Sequence, residues 1–375
     1  MGPGTILEKA GASHGLSFTG VTLFMRIGLV GAGKIGQLRA RSVIEDPSTT
    51  LAAVFDLSAD LARQAAGRSG AKVCSSLEEL LGVPLDAVIV STPVHVHLDA
   101  CLQAFARGLH VLCEKPVANS VADTQKIVDA AIAAKRALGV GFNLRYYPAI
   151  KFMRETIASG TIGAVDHVRI FGGHDGLGSF THDWEYKTPL TGGGAMWDIG
   201  IHMSDLARHF LGEITEVYGV MSGKIWGVPG SEDNAIAVFR NPQGIAASYQ
   251  ATWDEWKGYG FHVEVYGDKG MVRGGYAPMH NLLITHANPR GPRTRKSLRY
   301  TDIAVREKLF SWKTTALLSF KEELTDFVAL AQGKRDLVIA DGFAGLRAVQ
   351  VAAAVKSSTE TGQSVQLENL GRMSL

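Results

Sequence analysis

From Arg26 to about Val140, short apolar runs alternate with segments of helical periodicity. The runs RIGLVG, TLAAVF, DAVIV, LHVLC and LGVG are apolar without strict alternation, as in strands covered on both faces. Between them, residues 33–45, 58–67, 95–107 and 120–136 repeat apolar positions at helical spacing. This βαβ rhythm predicts a doubly wound parallel sheet of Rossmann type.

After NLRYYP (143–148) the pattern changes to one helix, a strand near 165–171, a Gly-rich turn at 192–194 and a helix over roughly 198–211. AIAVFR, IAASYQATW, GFHVEVYG and MVRG then follow with period two, the mark of an open, mostly antiparallel sheet with one exposed face. GDKG at 267–270 reads as a hairpin turn. Residues 316–333 and 341–358 read as closing amphipathic helices.

The chain is therefore α/β in both parts. Residues 25–147 form the expected Rossmann domain. Residues 148–375 form an α/β domain for substrate binding and oligomerisation, with its last helices packing back near the interface. Residues 1–24 are an extension outside the pattern, because MRIGLVGAGKIG from Met25 is already a complete first strand and loop.

With 375 residues, 46% of them hydrophobic, the chain is long enough for two cores. A net charge of +2 is too small for a nucleic-acid footprint, and PRGPRTRK (289–296) reads as a solvated loop. Cys74, Cys101 and Cys113 have neither a complete disulfide framework nor metal spacing; they fit small core positions in a reducing, cytoplasmic setting. No apolar run reaches the roughly 20 residues of a membrane span. The first 24 residues lack the basic start of a secretory signal.

The chemistry begins at GAGKIG, Gly31 to Gly36, after a strand and at a helix start. Gly31 permits the turn, Gly33 lets amides approach a pyrophosphate, Lys34 and Ile35 open the helix, and Gly36 allows close helix-to-strand packing. Asp56 ends the second strand 20 residues after Gly36, where a carboxylate accepts from a ribose diol. The competing reading of Asp56 is the N-cap of a helix beginning near Ser58. An acid here repels a 2′-phosphate, so NAD is expected, with NADP second because Arg39 and Arg41 are close by.

STP (91–93) and CEKP (113–116) leave the carboxyl edge of the sheet, where such sheets bind ligands. Lys115 there is either a proton-exchanging amine or a surface lysine paired with Glu114. In TGGGAMWDIGIHMSDL (191–206), Asp198 and His202 stand at i and i+4 on one helix face. They are either an acid/base pair for a secondary alcohol, or a first-turn acid and a core-facing histidine. No third ligand lies at a usual spacing from His202 and Asp205, so no metal is expected.

GAGKIG, Asp56, STPVHVH, GLHVLCEKP, NLRYYP, GGGAMWDIGIHMSDL and YGDKG, in this order, make the chain resemble the Gfo/Idh/MocA oxidoreductases from Arg26 to about Leu367. The resemblance implies that Lys115, Asp198 and His202 are the catalytic group: His202 or Lys115 takes the hydroxyl proton, and Asp198 holds the substrate or orients His202. It places Arg145 in the same cleft, puts a frequent cis bond at Pro116, and makes Ser91, Thr92, Pro93, His97 and Glu114 cofactor contacts. His97 equally fits a local hydrogen-bonding role. The family's open sheet often mediates dimers or tetramers, so a homo-oligomer is expected.

The implied substrate is a secondary alcohol of a sugar, glycoside or cyclitol. Trp184, Trp197, Trp253 and Trp256 are either stacking surfaces for it or core residues. Two other functions remain at this point: an NAD-dependent glycosidase working by transient oxidation and elimination, and a non-catalytic sugar or NAD sensor. The sensor has no need of Lys115, Asp198 and His202 together.

Overall fold

The computed structural model describes residues 24–180 and 182–368, so all but Phe24 of the expected extension lies outside it. The first sheet is built from β1 (Met25–Val30), β2 (Thr49–Phe55), β3 (Lys72–Cys74), β4 (Ala87–Val90), β5 (His110–Cys113) and β6 (Leu138–Val140). They lie parallel in the order β6-β5-β4-β1-β2-β3. The order reverses between β1 and β4, and the loops leaving these two strands open the crevice used for ligands in this architecture. The intervening helices are α1 (Lys34–Glu45), α2 (Ala59–Ala66), α3 (Leu77–Leu81), α4 (His97–Ala106) and α5 (Val121–Ala134).

The second sheet holds β7 (Val165–Gly173), β8 (Glu216–Ser222), β9 (Asn234–Arg240), β10 (Ala246–Thr252), β11 (Gly260–Gly267), β12 (Gly270–Tyr276), β13 (His280–His286) and β14 (Arg293–Arg299). Its order is β14-β13-β12-β11-β7-β10-β9-β8, and only β7 and β10 pair in parallel. The hairpin at 267–270 forms as expected, with Gly267 opposite Gly270. Helices α6 (Pro148–Ala158), α7 (Thr188–Thr191) and α8 (Ile199–Leu211) precede most of these strands. The chain closes with α9 (Thr301–Phe310), α10 (Lys313–Ala331), α11 (Gly342–Thr361) and two short strands, β15 (Ala340–Asp341) and β16 (Val365–Gln366).

The C-terminal elements tie the two sheets together. Leu324, Phe327 and Val328 of α10 join Ile27, Leu29, Val54 and Leu112 in one buried cluster. β15 adds an antiparallel strand to β6, while α11 packs on α8 and β8. The second sheet buries alternate residues against these helices, for example Val217, Ala237 and Phe239. Its outward face carries Tyr218, Val220, Ile236 and Val238, all about half exposed.

The stretch expected to be a loop at 289–296 is corrected in its second half: Arg293–Arg299 is the outermost strand. It has no apolar period to read because nearly every side chain on it is exposed, and charge on an edge strand discourages further pairing. Strands β8 and β13 and helix α9 were likewise not expected from the pattern.

Candidate active site

The loop after β1 is shaped for close backbone approach. Gly31 has φ +90, and a Cβ on it would lie 2.6 Å from the Ser91 carbonyl; a Cβ on Gly36 would lie 2.2 Å from the Gly31 oxygen. Gly33 caps α1 without any side-chain cap, so the first amides of that helix, Lys34, Ile35 and Gly36, keep free N–H groups. Asp56 sits beside them: its Oδ2 accepts from Ala32 N at 2.7 Å and its Oδ1 from Ser58 N at 2.8 Å. Each oxygen keeps a lone pair for a diol. The helix cap itself is Ser58, not Asp56.

Arg39 is not available to a 2′-phosphate, and Arg41 is engaged at the surface. Arg39 is fully buried, its Nε 2.7 Å from Glu114 Oε1 and its NH1 2.5 Å from Glu323 Oε2, with its guanidinium over the Phe320 ring. Arg41 is paired with Glu45 at 2.5 Å. One buried cation serves two carboxylates here, and burial pushes Glu323 up to about 7.

The loop after β4 presents Ser91, Thr92 and Pro93. Ser91 Oγ and Thr92 Oγ1 are buried and make no hydrogen bond within the described chain. Free helix amides, a diol-sized carboxylate and two orphaned hydroxyls fit a dinucleotide lying across β1 and β4. His97 does not join them: its Nε2 is 2.9 Å from the Thr92 carbonyl and its Nδ1 3.0 Å from that of Pro116. Burial keeps the ring neutral, so only one of its nitrogens carries a hydrogen, and that N–H donates to one of these two carbonyls; the position between the two loops favours local bracing over a ribose contact. Glu114 also has an internal partner, Arg39, in place of a free carboxylate.

Lys115 follows on the β5 loop, and its bond to Pro116 is cis. Lys115 Nζ lies 3.1 Å from the Asp198 carbonyl and 3.2 Å from Asp198 Oδ1, so its partner is not Glu114. The other carboxylate oxygen, Oδ2, receives His174 Nε2 at 2.8 Å and Trp253 Nε1 at 3.2 Å. Gly176 N donates to His174 Nδ1 at 3.2 Å. That bond leaves Nδ1 without a proton and puts the imidazole hydrogen on Nε2, facing Asp198. Burial alone would raise the Asp198 carboxyl, but Lys115 and His174 outweigh it and hold the group well below the usual carboxylate range.

Among the described residues, no hydrogen bond joins Asp198 to His202. Asp198 stands one residue before α8 with φ −96 and ψ −93, outside the helix, so the two side chains do not share a helical face as expected. His202 packs edge-on against Phe142, and its Nδ1 is buried without a partner. Burial and the charge of Lys115 hold the ring neutral, well below an ordinary histidine. Arg145 is also corrected: it is buried, and its fork grips Asp205 through Nε at 2.7 Å and NH2 at 2.5 Å. It braces α8 from behind and does not present a free guanidinium.

A cavity of about 160 Å³ opens over Lys115 and Asp198. Its wall includes Thr92, Phe180, Trp184, Trp197 and Trp253. Trp197 Nε1 is buried and unpartnered. Trp256 is exposed and packs on Trp226, away from this wall. His174 is the residue that sequence reasoning missed. Its GGHDG context has no periodicity; the pairing of β7 beside β10 sets it next to Trp253, and the packing of α8 on β7 brings it to Asp198. Among the described residues no three His, Cys, Asp or Glu side chains are grouped to hold a metal ion.

Residues 25–142 match the family described as oxidoreductase, NAD-binding Rossmann fold, and residues 150–273 match the GFO/IDH/MocA C-terminal domain. The chain is 27% identical over 356 residues to the myo-inositol 2-dehydrogenase of Thermotoga maritima, covering 92% of this chain and 99% of that protein. It is 33% identical over 253 residues to the 1,5-anhydro-D-fructose reductase of Ensifer adhaerens, covering 66% of this chain and 75% of that protein. The fold matches that of an NAD binding oxidoreductase from Klebsiella pneumoniae with a TM-score of 0.79 at 24% identity, covering 91% of this chain and 98% of the other.

Proposed function

We propose, from the premise that this chain belongs to the Gfo/Idh/MocA oxidoreductases, with an NAD-binding Rossmann domain, that it interconverts a secondary alcohol of a sugar, glycoside or cyclitol and the corresponding ketone. The observation that carries this reading is the meeting of Lys115 and Asp198 under an aromatic-walled cavity beside the dinucleotide crevice. When bound, NAD supplies the hydride acceptor. The polyol dehydrogenase and anhydrosugar reductase among the relatives support the substrate class.

Lys115 and His202 are the acid/base residues in this reading. Lys115, paired with Asp198, donates to the reacting oxygen as negative charge grows on it. His202, neutral and with an unpartnered nitrogen, takes the hydroxyl proton in oxidation and returns it in reduction. Asp198 orients Lys115 and His174 and accepts from a neighbouring hydroxyl. Trp184 and the two buried tryptophans offer flat apolar surface for the C–H face of a ring. The test is absorbance at the reduced nicotinamide band with NAD and a panel of cyclitols, monosaccharides and glycosides. Turnover of at least one is expected, and none across the panel contradicts the reading.

The half-exposed apolar face formed by Tyr218, Val220, Ile236 and Val238 supports assembly of copies through the second sheet. Residues 25–147 and 148–375 are proposed as the cofactor and substrate units, with α10 returning to the first.

A further inference from the structure

We propose that Glu232 is a positioning residue that fixes the backbone turn delivering Asp198 to the reaction site, a role that rests on the assignment of Asp198 above. Glu232 lies between β8 and β9, far from the cavity in sequence, and only 8% of it is exposed. Its Oε2 accepts from Gly194 N at 3.0 Å and its Oε1 from Met196 N at 2.7 Å. Its main-chain oxygen accepts from Ala195 N at 2.9 Å. Three successive amides of the turn therefore end on one residue.

The contact is too tight to slide. A Cβ on Gly194 would lie 2.0 Å from the Glu232 oxygen, so glycine is what lets the two backbones meet. Downstream, the Gly194 carbonyl accepts from Trp197 N at 3.0 Å and from Asp198 N at 3.1 Å. Glu232 thus holds Gly194, and Gly194 holds the backbone of Asp198, whose own carbonyl and carboxylate both bind Lys115. Burial pushes the Glu232 carboxyl up, while the amides of Gly194 and Met196 pull it back down. A buried carboxylate is costly for a merely structural turn, whereas neutral acceptors would suffice to cap it. Here both oxygens are spent on the peptide that carries Asp198.

The experiment uses the full-length protein and the variants Glu232→Gln and Glu232→Ala. Amide hydrogen exchange is followed in the peptide spanning 192–198, beside kcat and KM for NAD with myo-inositol and, in reverse, for NADH with 1,5-anhydro-D-fructose. Glu232→Ala should speed exchange at Gly194 and Met196 and lower kcat by about 10²-fold, the cost of misplacing a catalytic group by about an ångström. The KM for the nucleotide should stay within about twofold. Glu232→Gln keeps one acceptor oxygen and should recover part of both effects; it also carries the test if the alanine variant does not fold. Unchanged exchange in both variants overturns the proposal, as does faster exchange with undiminished kcat. If the unmodified protein turns over neither probe, kcat is read on whichever member of the cyclitol, monosaccharide and glycoside panel it does turn over; if it turns over none, the substrate reading fails, while the exchange arm still decides the hold of Glu232 on the turn.

Discussion

His174 and Asp198 meet at 2.8 Å, and the amide of Gly176 on the far side of the imidazole fixes which nitrogen carries the hydrogen. The carboxylate is thereby held from one side by a neutral histidine and from the other by Lys115, with the Trp253 indole below. Lys115 follows β5 of the first sheet, whereas His174, Asp198 and Trp253 flank β7, α8 and β10 of the second, so the group exists only when the two parts are docked.

Removing the histidine tests this arrangement. His174→Phe keeps bulk but deprives Asp198 Oδ2 of its short hydrogen bond, and kcat should fall about tenfold or more, with the KM for NAD little changed. His174→Asn, which offers an N–H, should lose less. Equal activity in all three proteins would mean that the pair plays no part in turnover.

Asp56 should set the choice of nucleotide. Its two oxygens accept from the amides of Ala32 and Ser58, and Arg39 is enclosed by carboxylates and not free to receive a phosphate. NAD should bind more tightly than NADP, and Asp56→Ala should narrow the gap by about tenfold, or about 1.4 kcal/mol. Calorimetry with both nucleotides checks it; equal affinities in the unmodified protein would count against the assignment.

The buried set Arg39, Glu114 and Glu323 should give the protein a pH-dependent stability. Burial raises the Glu323 carboxyl from an ordinary 4.5 to about 7 in the folded state. Between those values the folded chain holds a proton that the unfolded chain has released, so stability declines as pH rises through that window. Asp198, shifted the other way, matters only below its ordinary 3.8. Thermal unfolding at pH 5 and pH 7.5 should show a larger loss for the unmodified protein than for Glu323→Gln. Parallel losses would remove Glu323 as the cause.

Assembly is tested by charge on the open sheet. Val238, 51% exposed on the outward face of β9, would meet a second copy if that face is the interface. Light scattering should give a multiple of 40.1 kDa for the unmodified chain and a smaller species for Val238→Arg. A mass of one chain at micromolar concentration would contradict the expectation.

Much of this molecule was legible because its signals are local. GAGKIG with Asp56 compresses a strand, a turn and a helix into one stretch, and the period-two runs of β9 to β11 bury every second residue. The illegible parts are long-range. Nothing near Arg39 announces Glu323, 284 positions away, and nothing near Arg145 announces Asp205, so both arginines read as available when they are enclosed. Asp198 and His202 had helical spacing, but a non-helical ψ of −93 at Asp198 turns the carboxylate towards His174. His97 sat among cofactor-loop residues, and only the carbonyls of Thr92 and Pro116 reveal it as a brace.

Lys115 and His202 are proposed to handle the proton, while other residues build the dinucleotide crevice. The most direct measurement of this is single-variant kinetics beside nucleotide affinity for Lys115→Ala and His202→Ala, using whichever alcohol the unmodified protein oxidises. Each variant should lose about 10²–10⁴-fold in kcat with NAD affinity nearly intact, and the double variant should lose less than the product of the two. Near-normal turnover in both single variants would contradict the assignment.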